Sequence, residues 1–306
     1  MRMTEPALTP SPDAITRLRG HSGFPAAMRA SAHSSVALYR SGRVLNALLS
    51  DRARALFSYF ALYLHFDGER DGEPGLTVGA MKEMCVRLGL CSRGRCEAML
   101  GLMRAVGFLA AAPNTDRRRR PLVPTAKLMM LHRERWSGQF DAMSRVIPAA
   151  VAYRAALNDP AFLKTFVLEL GRRFNAGLRV LDSAPDLAMF AERNAGMMVL
   201  FSLALSGPTD EVFPPAEPVP LSINGLATRF SVSRKHVLTV LRDAEAQGLL
   251  RRGGRANDEI TILARGREAL EGMLASMFLY LSGCAEVALQ ARQAAADRAA
   301  AATRMA

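Results

Sequence analysis

The chain has 306 residues, of which half are hydrophobic and 22% are charged, and its 40 basic residues outnumber 28 acidic ones. This composition is globular, and the length suits two domains. No segment reaches the ~18 uninterrupted apolar residues of a membrane span. The N-terminus has no apolar signal core, and four cysteines are too few for a disulfide framework. We therefore exclude transmembrane, secreted disulfide-rich and fibrous classes, and we expect a soluble, basic, cytoplasmic protein with no membrane partner.

The positive charge is concentrated in two short stretches of the chain. Residues 76–137 hold twelve basic and four acidic residues, a net charge of +8, and residues 220–267 hold nine and four, a net charge of +5. Of the 40 basic residues, 36 are Arg, whose planar guanidinium suits phosphate groups and guanine edges. The charge pattern therefore indicates two basic surfaces on an otherwise nearly neutral protein.

Apolar periodicity and capping residues predict a helical chain with a few short strands. The first 35 residues mix Pro, Ser, Arg and Gly, and we expect them to be largely disordered. Residues 208–220 are rich in proline and are predicted to form a loop. The predicted elements, in chain order, are helices at 53–64, 78–88 and 93–106, strands at 108–111 and 121–124, helices from 125 to about 136, at 141–156 with an interruption or kink at Pro148, at 160–181, 185–205, 223–230 and 234–247, strands at 249–251 and 259–263, and a long helix at 265–292.

The two basic stretches form an internal repeat in the order helix, tight turn, helix, strand, polar turn, strand, helix. Aligning Gly107 with Gly248 gives an offset of 141, and upstream of the second helix one inserted residue shifts it to 142. Because both units share one pattern, each predicted element supports its counterpart. The aligned pairs include Ser92 with Ser233, Arg93 with Arg234, Leu100 with Leu241, and Leu109 with Leu250.

This order of elements is that of a helix-turn-helix followed by a β-wing. A serine-capped helix offers free N–H groups and the positive end of its dipole to phosphate, and its exposed side chains reach base edges in the major groove. The wing is a second contact, and four arginines lie together in the first one. The predicted DNA-binding residues are Ser92, Arg93, Arg95, Glu97, Arg117, Arg118, Arg119, Arg120, Ser233, Arg234, Lys235, His236, Thr239, Arg251, Arg252 and Arg255.

The first unit resembles the MarR-type winged helix. The resemblance is carried by residues 88–93, by residues 107–109, by Asp116-Arg117-Arg118 in the wing and by residues 124–127. That family has an Asp-x-Arg wing and a Leu-Thr-x-x-Gly start to its last helix. The second unit matches the latter pattern at residues 263–267, but it has Asn-Asp-Glu in place of Asp-x-Arg. The resemblance implies regulation by DNA binding, by a protein that is usually dimeric and often responds to a ligand.

We therefore predict a mainly α fold with small β-wings, organised as two winged helix-turn-helix units joined by a helical segment. An apolar stripe on the last helix and several apolar helices within residues 138–205 predict a homodimer. The stripe consists of Leu270, Leu274, Met277 and Leu281. The predicted domains are a disordered segment 1–35, a first winged helix-turn-helix domain 36–137, a helical linker or dimerisation segment 138–185, and a second winged helix-turn-helix domain 186–306 that ends in a long helix.

The function predicted from these features is sequence-specific transcriptional regulation, and in particular repression. The predicted partners are double-stranded DNA and a small-molecule effector. Two alternatives stay open: a plasmid replication initiator, which also uses tandem winged helices, and an adaptor whose winged helices bind proteins. The five histidines show no metal-ligand spacing, and the chain holds no phosphate-binding glycine loop and no nucleophile elbow. We therefore expect no enzymatic activity, no metal and no cofactor.

Three cysteines of the first unit, Cys85, Cys91 and Cys96, are separated by five and then four residues, which leaves thiol sensing or an iron–sulfur cluster open. The repeat favours a structural role, because the aligned residues of the second unit are small and apolar. Aromatic residues between positions 136 and 174 are likewise predicted to pack in the core rather than to line a pocket. The residues aligned with the three cysteines are Ala227, Val232 and Val237.

Overall fold

The computed structural model describes residues 10–39, 52–68, 75–112, 120–208, 212–256 and 258–305. The protein is mainly helical and carries two small antiparallel sheets, as predicted. Over the described residues the helices are α1 Pro12–Arg19, α2 Phe24–Leu38, α3 Arg52–Asp67, α4 Val78–Arg87, α5 Arg93–Ala105, α6 Ala126–Met143, α7 Ala150–Ala156, α8 Pro160–Asn175, α9 Ala188–Ala191, α10 Gly196–Ala204, α11 Ile223–Phe230, α12 Arg234–Ala246 and α13 Ala264–Met305. The strands are β1 Leu109–Ala111, β2 Leu122–Pro124, β3 Val219–Pro220, β4 Leu250–Gly253 and β5 Glu259–Ile262.

The N-terminal region is helical and packed, so the predicted disorder of residues 1–35 is wrong for the part that the structure describes. Helix α2 lies on α6, where Ser31 Oγ donates to Gln139 Oε1 at 2.6 Å inside the protein. The two helices approach closely at Gly138, since a Cβ there would lie 1.9 Å from Ser34 Oγ. The buried residues of α2 recur at helical spacing and form an apolar face that packs on the core. They include Phe24, Ala27, Met28, Ala32 and Val36.

One contiguous cluster of buried residues joins the N-terminal helices, both basic stretches and α13. The apolar stripe of α13 is part of it: Leu270, Leu274 and Leu281 are buried within the chain. Helix α13 packs along α8, and Tyr280 Oη donates to the carbonyl of Leu170 at 2.6 Å. The stripe therefore offers no free surface to a second copy, and it does not support a dimer. Of the aromatic residues predicted to pack in the core, Phe174 is half-buried against it and the other four are fully buried, namely Trp136, Phe140, Phe162 and Phe166.

The middle region departs from prediction at two of its three helices. The segment 141–156 is interrupted at Pro148 as predicted, because α6 ends at Met143 and Pro148, which lacks an N–H, lies before the start of α7. Helix α8 ends at Asn175, six residues before the predicted end. The segment 185–205 is interrupted at Ala195, whose φ of 55° is left-handed. The next position requires glycine, because a Cβ on Gly196 would lie 2.2 Å from the carbonyl oxygen of Phe190.

The two basic stretches share one arrangement of helices and strands. In the second, β3, α11, α12, β4 and β5 follow one another, and the sheet order is β3-β5-β4. In the first, α4, α5, β1 and β2 do the same, and an isolated bridge between Thr77 and Pro121 takes the place of the β3–β5 pair. Strand β3 lies in the predicted loop 208–220, where a valine and a proline that follow Pro218 carry no strand pattern of their own.

The turn between the two helices of each unit is built from the same hydrogen bonds. The N–H of Leu90 donates to the carbonyl of Cys85 at 2.9 Å, and the N–H of Val232 donates to that of Ala227 at 3.1 Å. Leu90 is therefore the counterpart of Val232. This corrects the sequence alignment, which paired Cys91 with Val232, because Cys91 is the inserted residue.

The second helix of each unit also ends alike. Gly107 and Gly248 adopt φ values of 75° and 70°, a left-handed conformation that suits glycine. The residue after each glycine donates its N–H to the carbonyl five positions back, at 2.8 Å and 2.9 Å. This is the hydrogen bond of a Schellman motif, and it turns the chain from the helix into the following strand.

Helix α13 is the one described element that is long and apolar enough to span a membrane, over residues 264–298, by length and composition alone. Of its most apolar window, 56% is buried inside the protein. A core helix of a soluble protein has the same features, so the structure is compatible with a soluble protein.

Candidate nucleic-acid interface

Helix α5 begins at an exposed, serine-capped N-terminus. Ser92 Oγ accepts a hydrogen bond from the N–H of Arg95 at 3.3 Å, which satisfies one of the free donors of the first turn. The side chains of Arg93 and Arg95 are exposed, and within the described part of the chain neither has a hydrogen-bond or ion-pair partner. Two unpaired cations thus lie at the positive end of the helix dipole.

Glu97, one turn further along α5, is held by two cations. Lys82 Nζ from α4 donates to Glu97 Oε2, and Arg120 Nη1 donates to Glu97 Oε1 at 3.2 Å. The hydrogen bond from Lys82, followed by that from Arg120, lowers the pKa of Glu97 below its usual range. Glu97 therefore joins the helix to Arg120, two residues before β2, in addition to any contact that it makes outside the protein. The other predicted wing residues, Arg117, Arg118 and Arg119, lie outside the described residues.

Helix α12 repeats the capped N-terminus but differs in its next residues. Ser233 Oγ accepts from the N–H of His236 at 3.1 Å, and Arg234 and Lys235 are exposed without a side-chain partner among the described residues. The ring of His236 is half-buried, with Nε2 2.8 Å from the carbonyl oxygen of Asn194. Thr239 Oγ1 donates back to the carbonyl of Lys235 at 2.9 Å. His236 and Thr239 thus each have a partner within the protein, in addition to any contact that they make outside it.

The hairpin of the second unit divides its arginines between two roles. Arg252 donates to the Glu245 carboxylate from its main-chain N–H at 3.0 Å, from Nε at 2.9 Å and from Nη2 at 2.6 Å. These bonds, the main-chain one first, lower the pKa of Glu245. Arg252 therefore links β4 to α12 through hydrogen bonds to Glu245. Arg251 and Arg255 are exposed and have no side-chain partner within the described residues, so both stay available to an anion.

The sequence did not point to Lys82 or Asn194 as parts of this surface. Lys82 lies fifteen positions before Glu97, and Asn194 lies 42 positions before His236, so no local spacing links either pair. Only the packing of α4 on α5, and of the turn before α10 on α12, brings them together.

The three cysteines of the first unit form a cluster beneath α5. The thiol of Cys85 is hydrogen-bonded to Cys96 and to Cys91, and Cys85 and Cys96 are fully buried. The bond to Cys96, together with burial, raises the pKa of Cys85, and the bond from Cys85 lowers that of Cys96. Burial raises the pKa of Cys91, which is only half-buried.

This distribution is the opposite of what a reactive thiol needs, namely an exposed sulfur with a lowered pKa. The sulfur with the lowered pKa is closed off from solvent, and the accessible one has a raised pKa. Among the described residues, no group of three His, Cys, Asp or Glu side chains could hold a metal ion. The cluster therefore supports the structural role expected for these cysteines.

In comparisons with known proteins, no protein-family model matches the chain, and neither a curated protein nor a solved structure shows significant similarity to it.

Proposed function

We propose that this protein is a cytoplasmic, sequence-specific DNA-binding protein that regulates transcription, as a repressor, through two winged helix-turn-helix units. The observation that carries the proposal is the shared construction of α5 and α12. Each begins at a serine cap, Ser92 or Ser233, and each presents two exposed cationic side chains that have no partner in the described part of the chain.

The element order supports the assignment of both units to the winged-helix class. In each, the segment before the first helix pairs with the last strand, which in turn pairs with the strand after the second helix. In helix-turn-helix proteins, the second helix lies in the major groove with its N-terminal residues at the base edges. Arg93 and Arg95 of one unit, and Arg234 and Lys235 of the other, occupy that end of the helix.

Charge supports DNA over a protein partner. The stretches 76–137 and 220–267 carry net charges of +8 and +5, whereas the chain as a whole carries +12. Essentially all of the net positive charge therefore belongs to the two units that hold the capped helices. Arginine forms bidentate hydrogen bonds with phosphate oxygens and with O6 and N7 of guanine, so it can contribute both to affinity and to sequence specificity.

The proposal is tested by selecting bound sequences from a random duplex pool and measuring their affinity for the protein over a series of salt concentrations. The variant Arg93→Gln/Arg95→Gln/Arg234→Gln/Lys235→Gln removes the four cations that have no partner among the described residues. We expect it to weaken binding strongly and to reduce the slope of log affinity against log salt by about 0.9 for each phosphate group that the variant no longer binds.

Arg298→Gln is the control, because Arg298 is an exposed arginine of the C-terminal helix that lies outside both basic stretches. Its affinity for DNA should equal that of the wild type. If the pool yields no enriched sequence, or if the fourfold variant binds DNA as the wild type does, the proposal is wrong and an adaptor role for the two units is favoured.

A further inference from the structure

A cavity of about 860 Å³ lies between α2, the end of α6 with α7, and the segment that leads from α10 to β3. This volume is within the range of small-molecule pockets, about 300–1,000 Å³. Its walls mix cationic and apolar side chains, which include Arg145 and Arg154 on one side and Leu205 and Phe213 on another. None of these residues belongs to the proposed DNA-binding surface.

Two guanidinium groups in this cavity share one carboxylate. Arg154 Nη1 lies 2.8 Å from Asp141 Oδ1, and Arg145 Nη1 lies 3.7 Å from Asp141 Oδ2. Asp141 is the one acidic residue among the described residues that line the cavity, so a single negative charge faces two positive ones. The pair therefore carries a surplus positive charge at the cavity wall.

Both guanidiniums also keep donors that the protein does not use. A guanidinium has five N–H groups. Within the described residues, Arg154 donates to Asp141 and to Ser137 Oγ at 3.3 Å, and Arg145 donates to the carbonyl of Asp141 at 2.6 Å. The remaining N–H groups can bind a two-oxygen anion, which is the geometry in which arginine binds carboxylates and phosphates best.

The opposite wall supplies an apolar surface beside this charge. This wall is lined by Pro25, Ala26, Ala30 and Leu205, of which Ala26 is exposed and the others are half-buried, whereas Phe213 is fully buried beneath the guanidinium of Arg29, with 5.2 Å between the ring centroid and Cζ. An occupant that matches both walls has an anionic head for Arg145 and Arg154 and an apolar body for Leu205 and the apolar residues of α2.

We propose that this cavity binds a small organic anion, a carboxylate or a phosphate ester with an apolar body, and that its occupancy couples the two DNA-binding units. The coupling rests on the proposed function, whereas binding of the anion does not. Helix α6 follows directly on β2 of the first unit through Thr125, and Leu205 begins the segment that leads from α10 into β3 of the second. A ligand held by both walls therefore contacts elements attached to each unit.

Binding is tested first on the full chain without DNA, by calorimetric titration with benzoate, phenyl phosphate and the neutral analogue benzamide. We expect at least one of the two anions to bind about tenfold or more tightly than benzamide. The variant Arg145→Gln/Arg154→Gln should lose about tenfold in affinity for that anion, and the control Arg298→Gln should lose none. The site is wrong if neither anion binds more tightly than about 10 mM, or if the double variant binds them as the wild type does.

A second variant keeps the test decisive if the double substitution impairs folding. Ala26 lines the cavity and is exposed, so Ala26→Phe fills the space without changing any charge. It should abolish anion binding and leave the circular dichroism spectrum and the melting temperature unchanged. Normal anion binding by a folded Ala26→Phe protein would place the ligand elsewhere and overturn the proposal.

Coupling is tested separately, by measuring DNA affinity with and without the bound anion. Linkage requires that the anion change DNA affinity by the same factor by which DNA changes anion affinity. We expect a change of about threefold or more in the wild type and none in Arg145→Gln/Arg154→Gln. Anion binding without any effect on DNA affinity would refute the coupling, whereas absence of DNA binding would refute the proposed function and leave the site intact.

Discussion

Arg120 Nη1 lies 3.2 Å from Glu97 Oε1, so the residue that leads into β2 is bonded to the exposed face of α5. Lys82 of α4 donates to the other oxygen of the same carboxylate. One acid thus joins both helices of the first unit to its hairpin. The same carboxylate also forms ion pairs with two cations, Lys82 and Arg120, which could otherwise contact phosphate.

Replacing Glu97 by Gln should strengthen DNA binding. The change removes a negative charge and releases Lys82 and Arg120, so the salt dependence of binding should steepen by about 0.9 for each additional phosphate group that is bound. Affinities measured over a salt series for wild type and Glu97→Gln check this. Glu134→Gln, which makes the same charge change at an exposed position of α6, is the control. Weaker binding by Glu97→Gln would mean that the carboxylate itself contacts a base.

Arg95→Ala should relax specificity at one base position. An arginine that reads a guanine contributes about 1–3 kcal/mol of discrimination, so affinity for the preferred site should fall by that amount and affinity for the site mutated there should not. Arg104→Ala, at the far end of the same helix, should leave this preference unchanged. A uniform loss at all sequences would identify Arg95 as a phosphate contact.

Loss of the second unit should shorten the region of DNA that one chain protects. Arg234 stands where Arg93 stands in the first unit, but Lys235 and His236 stand where the first unit has Gly94 and Arg95, so each chain should protect an asymmetric pair of half-sites. Footprinting of Arg234→Gln/Lys235→Gln beside Arg93→Gln/Arg95→Gln measures this. An unchanged footprint for the former pair would show that the first unit alone touches DNA.

The cysteine cluster should tolerate valine. Cys96 corresponds to the fully buried Val237, and volume-conserving apolar exchanges cost less than about 1.5 kcal/mol. Urea unfolding of Cys91→Val/Cys96→Val should stay within that limit, and peroxide should leave the DNA affinity of both wild type and variant unchanged. Cys284→Ala serves as the control outside the cluster. If peroxide weakens DNA binding by the wild type and not by the double variant, the structural interpretation is overturned.

Acid should destabilise the protein partly through His132. The ring is fully buried beside Tyr59 and Trp136, and within the described residues neither of its nitrogens has a hydrogen-bond partner. Burial lowers its pKa from 6.5 to about 3. The unfolded chain therefore binds an additional proton between these values, and stability falls as the pH falls, by up to about 1.4 kcal/mol per pH unit.

Replacement of His132 by Leu removes this contribution to the pH dependence of stability, because leucine has no nitrogen that could take up a proton. The free energy of unfolding of His132→Leu should therefore depend less steeply on pH between 6.5 and 3 than that of the wild type. His33→Gln, at an exposed histidine, should keep the wild-type slope. Equal slopes for the wild type and His132→Leu would show that His132 takes up its proton in the folded state.

The sequence by itself determined the elements whose signals are local. Helix α11 has the predicted bounds, and α4, α5 and α12 differ from their predictions only at the last residue. Serine caps, glycines with positive φ and apolar spacing act over a few residues, so they can be identified without knowledge of the fold. The internal repeat could be identified in the sequence for the same reason, because both units have the same caps, glycines and apolar spacing.

The tertiary structure alone decided which side chains remain free and which surfaces are covered. Glu97, His236 and Arg252 look like DNA contacts in sequence, yet each is held by a partner inside the protein. The apolar stripe of α13 suggested a second copy, but α8 of the same chain covers it. Such pairings join residues far apart along the chain, and only close packing of one core determines them.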